Sequence, residues 1–151
     1  MLLEAILAYA HFAAILGVVV FVTSEAALCR PEWLNAAVIH RLVRIDTLYL
    51  AAAAVVLLTG LARTFWGIKG VGWYWTQPLL HAKLTIFAFI GVLSLKPTFS
   101  FLRWRKRLDE LNVLPAAAEV LAVRRIIMFQ AHVMLLIPLA ATLLARGVWT
   151  F

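Results

Sequence analysis

His81 and Lys83 stand two residues apart at the head of an apolar run that continues to Leu95, just after the aromatic cluster Trp73, Tyr74 and Trp75. His11 lies within another apolar run, from about Ala5 to Thr23. Ionisable side chains in such runs are costly to hold, so by default they face a partner or cofactor and not lipid. A neutral imidazole binds transition metals and haem iron, and a lysine ammonium is an adaptable point charge for a carboxylate. Two residues subtend about 200° around a helix, so His81 and Lys83 cannot point at the same spot. The expectation is that His81 faces the bundle centre as an iron ligand opposite His11. Lys83 then reaches sideways to a propionate or substrate carboxylate and serves as the catalytic residue.

Other ionisable residues rank behind these. Glu4, His11 and Glu25 fall on one stripe with Val18, because a seven-residue spacing drifts only about 20° around a helix. His11 would lie about 12 Å, and His81 about 8 Å, below the same end of the bundle. Asp46 lies one turn inside its apolar run and is expected to pair with Arg44 or Arg125. His132 sits nearer the opposite end, and with Asp46 and Arg125 it forms the second rank of site residues. His40 reads as a solvated surface histidine. No two histidines share a helix face at i, i+3 or i+4, which weighs against zinc, and no serine or cysteine nucleophile arrangement is present. The glycines at 67, 70 and 72 match no phosphate-binding fingerprint. The lone Cys29 excludes an intrachain disulfide and reads as an inert apolar residue.

The elements that position these residues must be membrane helices. Of 151 residues 65% are hydrophobic and only 14% charged, which is foreign to a soluble domain of this length. About 20 apolar residues at 1.5 Å rise cross roughly 30 Å of hydrocarbon. The expected fold is all-α: one polytopic domain over 1–151, an antiparallel four-helix bundle with spans at about 3–23, 44–63, 78–96 and 126–146. The first run, starting almost at Met1 without a basic segment or cleavage pattern, reads as a retained helix. A polar connector is expected over 24–44 and an irregular loop over 63–77. Pro78 suits the first turn of the third helix, which is expected to end at Lys96 and Pro97. Gly60 and the alanines 51–54 should let a neighbouring helix approach closely. Pro115 should open the last helix, and Pro138 should kink it by freeing the carbonyl of Met134.

The formal charge of +7 has a topological cause. Ten of the arginines and lysines flank the connectors after spans one and three, whereas only Arg63, Lys69 and Arg146 lie on the other side. The positive-inside rule puts both termini outside. The basic, aromatic segment 99–107 reads as an interfacial segment that attracts anionic lipid, in preference to nucleic acid.

Four membrane helices with deep histidines are a recurrent frame for b-type haem, because imidazoles from facing helices can hold the iron from both sides. His11 and His81 are the best match in depth. Copper is the competing metal, although no Met-rich or Cys-rich cluster favours its cuprous form. Residues Leu79 to Leu84 with His81 and Lys83, the preceding Gly72 and Trp73, the single deep His11 and the segment Arg41 to Ile45 resemble the HemJ-type protoporphyrinogen oxidases. Those are small four-helix membrane proteins that bind haem b. The resemblance implies functional roles for His11, His81 and Lys83. The chain departs from that family after the first helix, at residues 24–30, and at Arg124 to Ile127. The closing segment 137–147 is more similar to a bacterial family of uncharacterised four-helix membrane proteins.

The expected function is a haem b-binding membrane oxidoreductase, protoporphyrinogen oxidase-like, with haem clamped between helices one and three. The alternatives are a copper or porphyrin transporter similar to copper-resistance D proteins, and a non-catalytic membrane scaffold. The expected setting is the bacterial plasma membrane. Expected partners are lipid and a small-molecule electron donor or porphyrin, without nucleic acid, and a homo-oligomer is compatible with all of these.

Overall fold

The computed structural model describes residues 2–66 and 70–146, and every described element is helical. Gly67, Lys69 and the segment from Gly147 to Phe151, which entered the reading of loop, charge bias and closing motif, lie outside the described residues. Helix α1 spans Leu2–Leu28, α2 Ala36–Phe65, α3 Val71–Thr76, α4 Pro78–Leu111, α5 Ala117–Met134 and α6 Leu136–Ala145. Four helical stretches are long and apolar enough to cross a membrane: α1, α2, α4, and α5 with α6.

The helices run longer than the apolar runs alone indicate, and local chemistry explains why. After Thr23, α1 continues through the polar Ser24 and Glu25, and Thr23 and Ser24 turn their hydroxyls back onto the carbonyls of Val19 and Val20, both at 2.7 Å. This satisfies them within the helix. The connector shrinks from the expected 24–44 to Cys29–Asn35 and holds one 3-10 turn, Pro31–Trp33. Asn35 caps α2 by accepting the Val38 N–H at 3.0 Å. At the far end of α2, part of the expected loop is the short helix α3, preceded by Gly70 at φ 80, a conformation only glycine adopts freely.

Helix α4 does not stop at Pro97. Proline inside a helix removes one hydrogen bond and costs ~3 kcal/mol. Pro97, Phe101, Trp104 and Leu108 are all buried on one stripe, and that packing carries the helix on to Asn112, whose left-handed φ of 53 ends it. The segment 99–107 is therefore part of α4, with Phe101 and Trp104 in the core and its basic residues turned outward. The indole of Trp104 donates to Glu119 at 2.8 Å, and Arg103 and Arg107 pair with the same carboxylate at 3.0 and 3.4 Å. The last span breaks at Leu135, three residues before Pro138, where the ring excludes the amide that would bond Met134.

Around the bundle the order is α1, α2, α4, then α5 with α6, and α5 returns to α1. Helices α1 and α2 are antiparallel, with His11 beside Thr59 and Gly60, and Gly17 beside Ala52. A Cβ on Gly60 would stand 3.1 Å from His11 Cε1, so the glycine lets the imidazole lie against α2. The apolar core, including Val22, Leu42, Phe101, Trp104 and Ile127, is concentrated at the end of the bundle that carries the connectors. Below, this is the connector end, and the opposite one the terminal end.

Candidate functional site

Two polar clusters stand in the bundle. At the terminal end, His11 Nδ1 lies 2.9 Å from Thr59 Oγ1. The single hydroxyl hydrogen of Thr59 is taken by the Val55 carbonyl at 2.6 Å. The neutral ring therefore carries its hydrogen on Nδ1 and keeps a lone pair on Nε2, the arrangement of a metal-ligating imidazole. Arg63 and Lys83, both half-buried, are within electrostatic range of His11 and of each other. Among the described residues neither cation forms an ion pair.

His81 is placed differently from the expectation. It is exposed, its Nδ1 donates to the Gln77 carbonyl at 3.1 Å, and its ring stands edge-on to Trp75 at 6.0 Å. Lys83, and not His81, is the α4 residue that reaches towards His11. The cause is helical phase: Lys83 stands three and four residues after the buried Leu80 and Leu79 and shares their face, which turns His81 away. The central bis-histidine clamp is thus not assembled in this arrangement.

The second cluster lies towards the connector end and draws on all four spans. Continuing the α1–α2 register two turns past Gly17 and Ala52 brings Glu25 opposite Asp46, and both carboxyls are buried, 2% and 4% exposed. Asp46 accepts the Thr98 hydroxyl at 2.9 Å. The Gln130 amide donates to the Tyr49 hydroxyl at 2.6 Å, and Tyr49 also meets Ser94. Asp46 is not paired with Arg44 or Arg125. Both arginines are exposed, and Arg44, two residues away, points to the opposite side of α2. Arg124, beside this cluster, donates to the Ala26 carbonyl at 3.3 Å.

Of the other expected site residues, His132 is exposed and bonded to its own helix at the Met128 carbonyl, 2.6 Å away, so it joins neither cluster. His40 is exposed at the surface, 3.5 Å from Asp109. Cys29 is fully buried with its thiol towards the Val120 carbonyl, and burial pushes it up to about 12. Among the described residues no three His, Cys, Asp or Glu side chains gather closely enough to hold a metal ion. Glu25, Tyr49, Ser94, Thr98 and Gln130 were not singled out as site residues from sequence, nor was Arg63. Glu25 was legible through its stripe with His11.

A histidine in the third turn of α1, cations around it that form no ion pair among the described residues, and a four-span bundle leave the family to be settled by comparison. The chain belongs to the DUF2214 family of predicted membrane proteins. The family's sequence model matches residues 3–149. No curated protein and no solved structure matches the chain. Membership agrees with the four apolar spans and with the resemblance carried by the closing segment. It lends no support to identity with the HemJ-type oxidases.

Proposed function

We propose that this membrane protein binds haem b or a related porphyrin at the terminal end of its bundle and acts as a haem-dependent oxidoreductase. One observation carries the reading: Arg63 and Lys83 approach His11 and each other without a carboxylate among the described residues. Half-buried cations are unfavourable when uncompensated, and a ligand with two carboxylates relieves both at once. Haem and porphyrins carry two propionates.

The fit is partial. His11 would hold the iron through its imidazole, and Arg63 and Lys83 would hold the propionates. The exposed His81 does not supply a second ligand here. Haem, when bound, would provide one-electron chemistry. The protein's part is to orient the ring through Thr59 and Gly60 and to place positive charge beside its carboxylates. A second reading, a carrier of a metal or porphyrin, is favoured by the buried polar cluster, which would extend a polar path towards the connector end. We also propose that the connector end is cytoplasmic, in a bacterial plasma membrane, on the excess of basic residues flanking the connectors.

The first test is an absorption spectrum of the protein purified from haem-replete cells, oxidised and then reduced. A Soret band that sharpens and shifts on reduction supports the proposal. A colourless protein that takes up neither haemin nor free-base porphyrin contradicts it.

A further inference from the structure

The connector-end cluster contains a buried carboxyl that the haem reading does not use. Glu25 is 2% exposed, and its Oε1 has no hydrogen-bond partner. The polar groups around it have other hydrogen-bond partners. From α2, Asp46 accepts Thr98 Oγ1–H, and the Tyr49 hydroxyl is occupied by Gln130 and Ser94. From α5, Arg124 directs its Nε–H to the Ala26 carbonyl. In the connector, the Cys29 thiol turns to Val120. The two carboxyls lie within electrostatic range of one another, and no described ion pair includes either.

Two buried carboxylates within electrostatic range of one another, neither of them in a described ion pair, are unfavourable when both are ionised. The smallest occupant that relieves them is a proton. A metal ion would need several further oxygen ligands, whereas Thr98, Tyr49 and Ser94 are already committed to neighbours. Asp46 has a hydroxyl donor suited to a carboxylate, and Glu25 has none. The proton therefore belongs on Glu25.

We propose that Glu25 and Asp46 form a proton-binding site in the bundle, with the proton on Glu25 beside ionised Asp46. The step is a simple exchange: the Glu25 carboxylate takes a proton from a hydronium ion at the connector end, leaving water, and becomes the acid, and no electrons move. Glu25 is three residues from the end of α1, so the path to that water is about one helical turn. This assignment is independent of the haem reading.

Infrared difference spectroscopy of the full chain in lipid tests it. Wild type minus Glu25→Gln at neutral pH should show the C=O stretch of a protonated carboxyl, with a shift in D₂O. In Asp46→Asn the same acid band should persist but be lost at lower pH, because the proton affinity falls about tenfold or more once the neighbouring charge is gone. Both substitutions are near-isosteric, and size-exclusion elution at the wild-type volume identifies folded samples. The proposal is overturned if Glu25→Gln removes only ionised-carboxylate bands. It is equally overturned if the acid band vanishes in Asp46→Asn but survives in Glu25→Gln, or if its pH dependence is the same with and without Asp46. Where either variant elutes as aggregate, the wild-type spectrum alone decides: with no protonated-carboxyl band at neutral pH, the assignment fails.

Discussion

Substituting alanine for Gly60 should disturb His11 without touching the imidazole itself. The new Cβ would stand 3.1 Å from His11 Cε1 and 3.7 Å from Nδ1, and the ring is held against the same helix by the 2.9 Å contact with Thr59. A neighbour at that distance must yield by a few tenths of an ångström, and an imidazole pushed off α2 weakens its Thr59 bond. Alanine in place of glycine gains about 1 kcal/mol of helix propensity. Against this stand a hydrogen bond worth about 1 kcal/mol and overpacking worth roughly 1–3 kcal/mol. The net is a loss of about 1–3 kcal/mol. Gly17→Ala is the matched control, because its Cβ would meet Ala52 Cβ at an ordinary 3.5 Å and should keep the propensity gain. Equilibrium unfolding in mixed micelles, followed by circular dichroism, should therefore separate the two variants by about 2 kcal/mol or more, with Gly60→Ala the weaker. Nitrogen chemical shifts of His11 should move in Gly60→Ala alone. Equal stabilisation in both variants, with His11 unmoved, would refute the reasoning.

Three further outcomes are expected. Glu119→Ala should destabilise by about 1–3 kcal/mol, because it strands the buried Trp104 N–H, and denaturant unfolding followed by tryptophan emission measures it. The folded Cys29 thiol is held up to about 12 from an ordinary 9.0, so its contribution to stability is whole below pH 9 and lost as pH rises towards 12. The difference between wild type and Cys29→Ala should shrink over that window, and maleimide labelling at pH 8 should require unfolding. A cysteine replacing the exposed Glu32, in a Cys29-free background, should be reached in intact cells only by membrane-permeant thiol reagents, and labelling by impermeant ones would reverse the topology.

Much of this was legible in the chain, provided the period was followed past the residues that break the apolar pattern. Lys83, Ile90, Pro97 and Trp104 recur every seven residues, and in the fold three of them are buried while Lys83 is half-buried on the same face. Followed through Pro97, that stripe turns Lys83 inward and His81 outward, and it extends α4 to the end of the basic segment. Stopping the helix at the proline hid both. The stripe of Glu4, His11, Val18 and Glu25 was read correctly, but the polarity of residues 24–44 suggested a connector and left Glu25 at a surface. Hydroxyls bonded back to their own helix made those residues compatible with α1. Gln130 lies on the stripe of Val120, Val123 and Ile127, so its burial was equally within reach. The neighbour relations were not. That Arg63 comes to His11 and Lys83, and that Asp46 meets Thr98 instead of an arginine, depends on how α2 packs between α1 and α4, which no period within one helix encodes.

The central claim is recognition of a porphyrin's carboxylates beside His11, and titrating the purified protein with haemin and, separately, with haemin dimethyl ester tests it most directly. Haemin should bind with a shifted Soret band, and the ester, which lacks both carboxylates, should bind about tenfold or more weakly. Lys83→Met should bring haemin part of the way down to the level of the ester, because Arg63 still meets one carboxylate, while His81→Ala should leave haemin binding in place. Equal affinity for haemin and its ester, or loss of binding in His81→Ala with none in Lys83→Met, would contradict the claim.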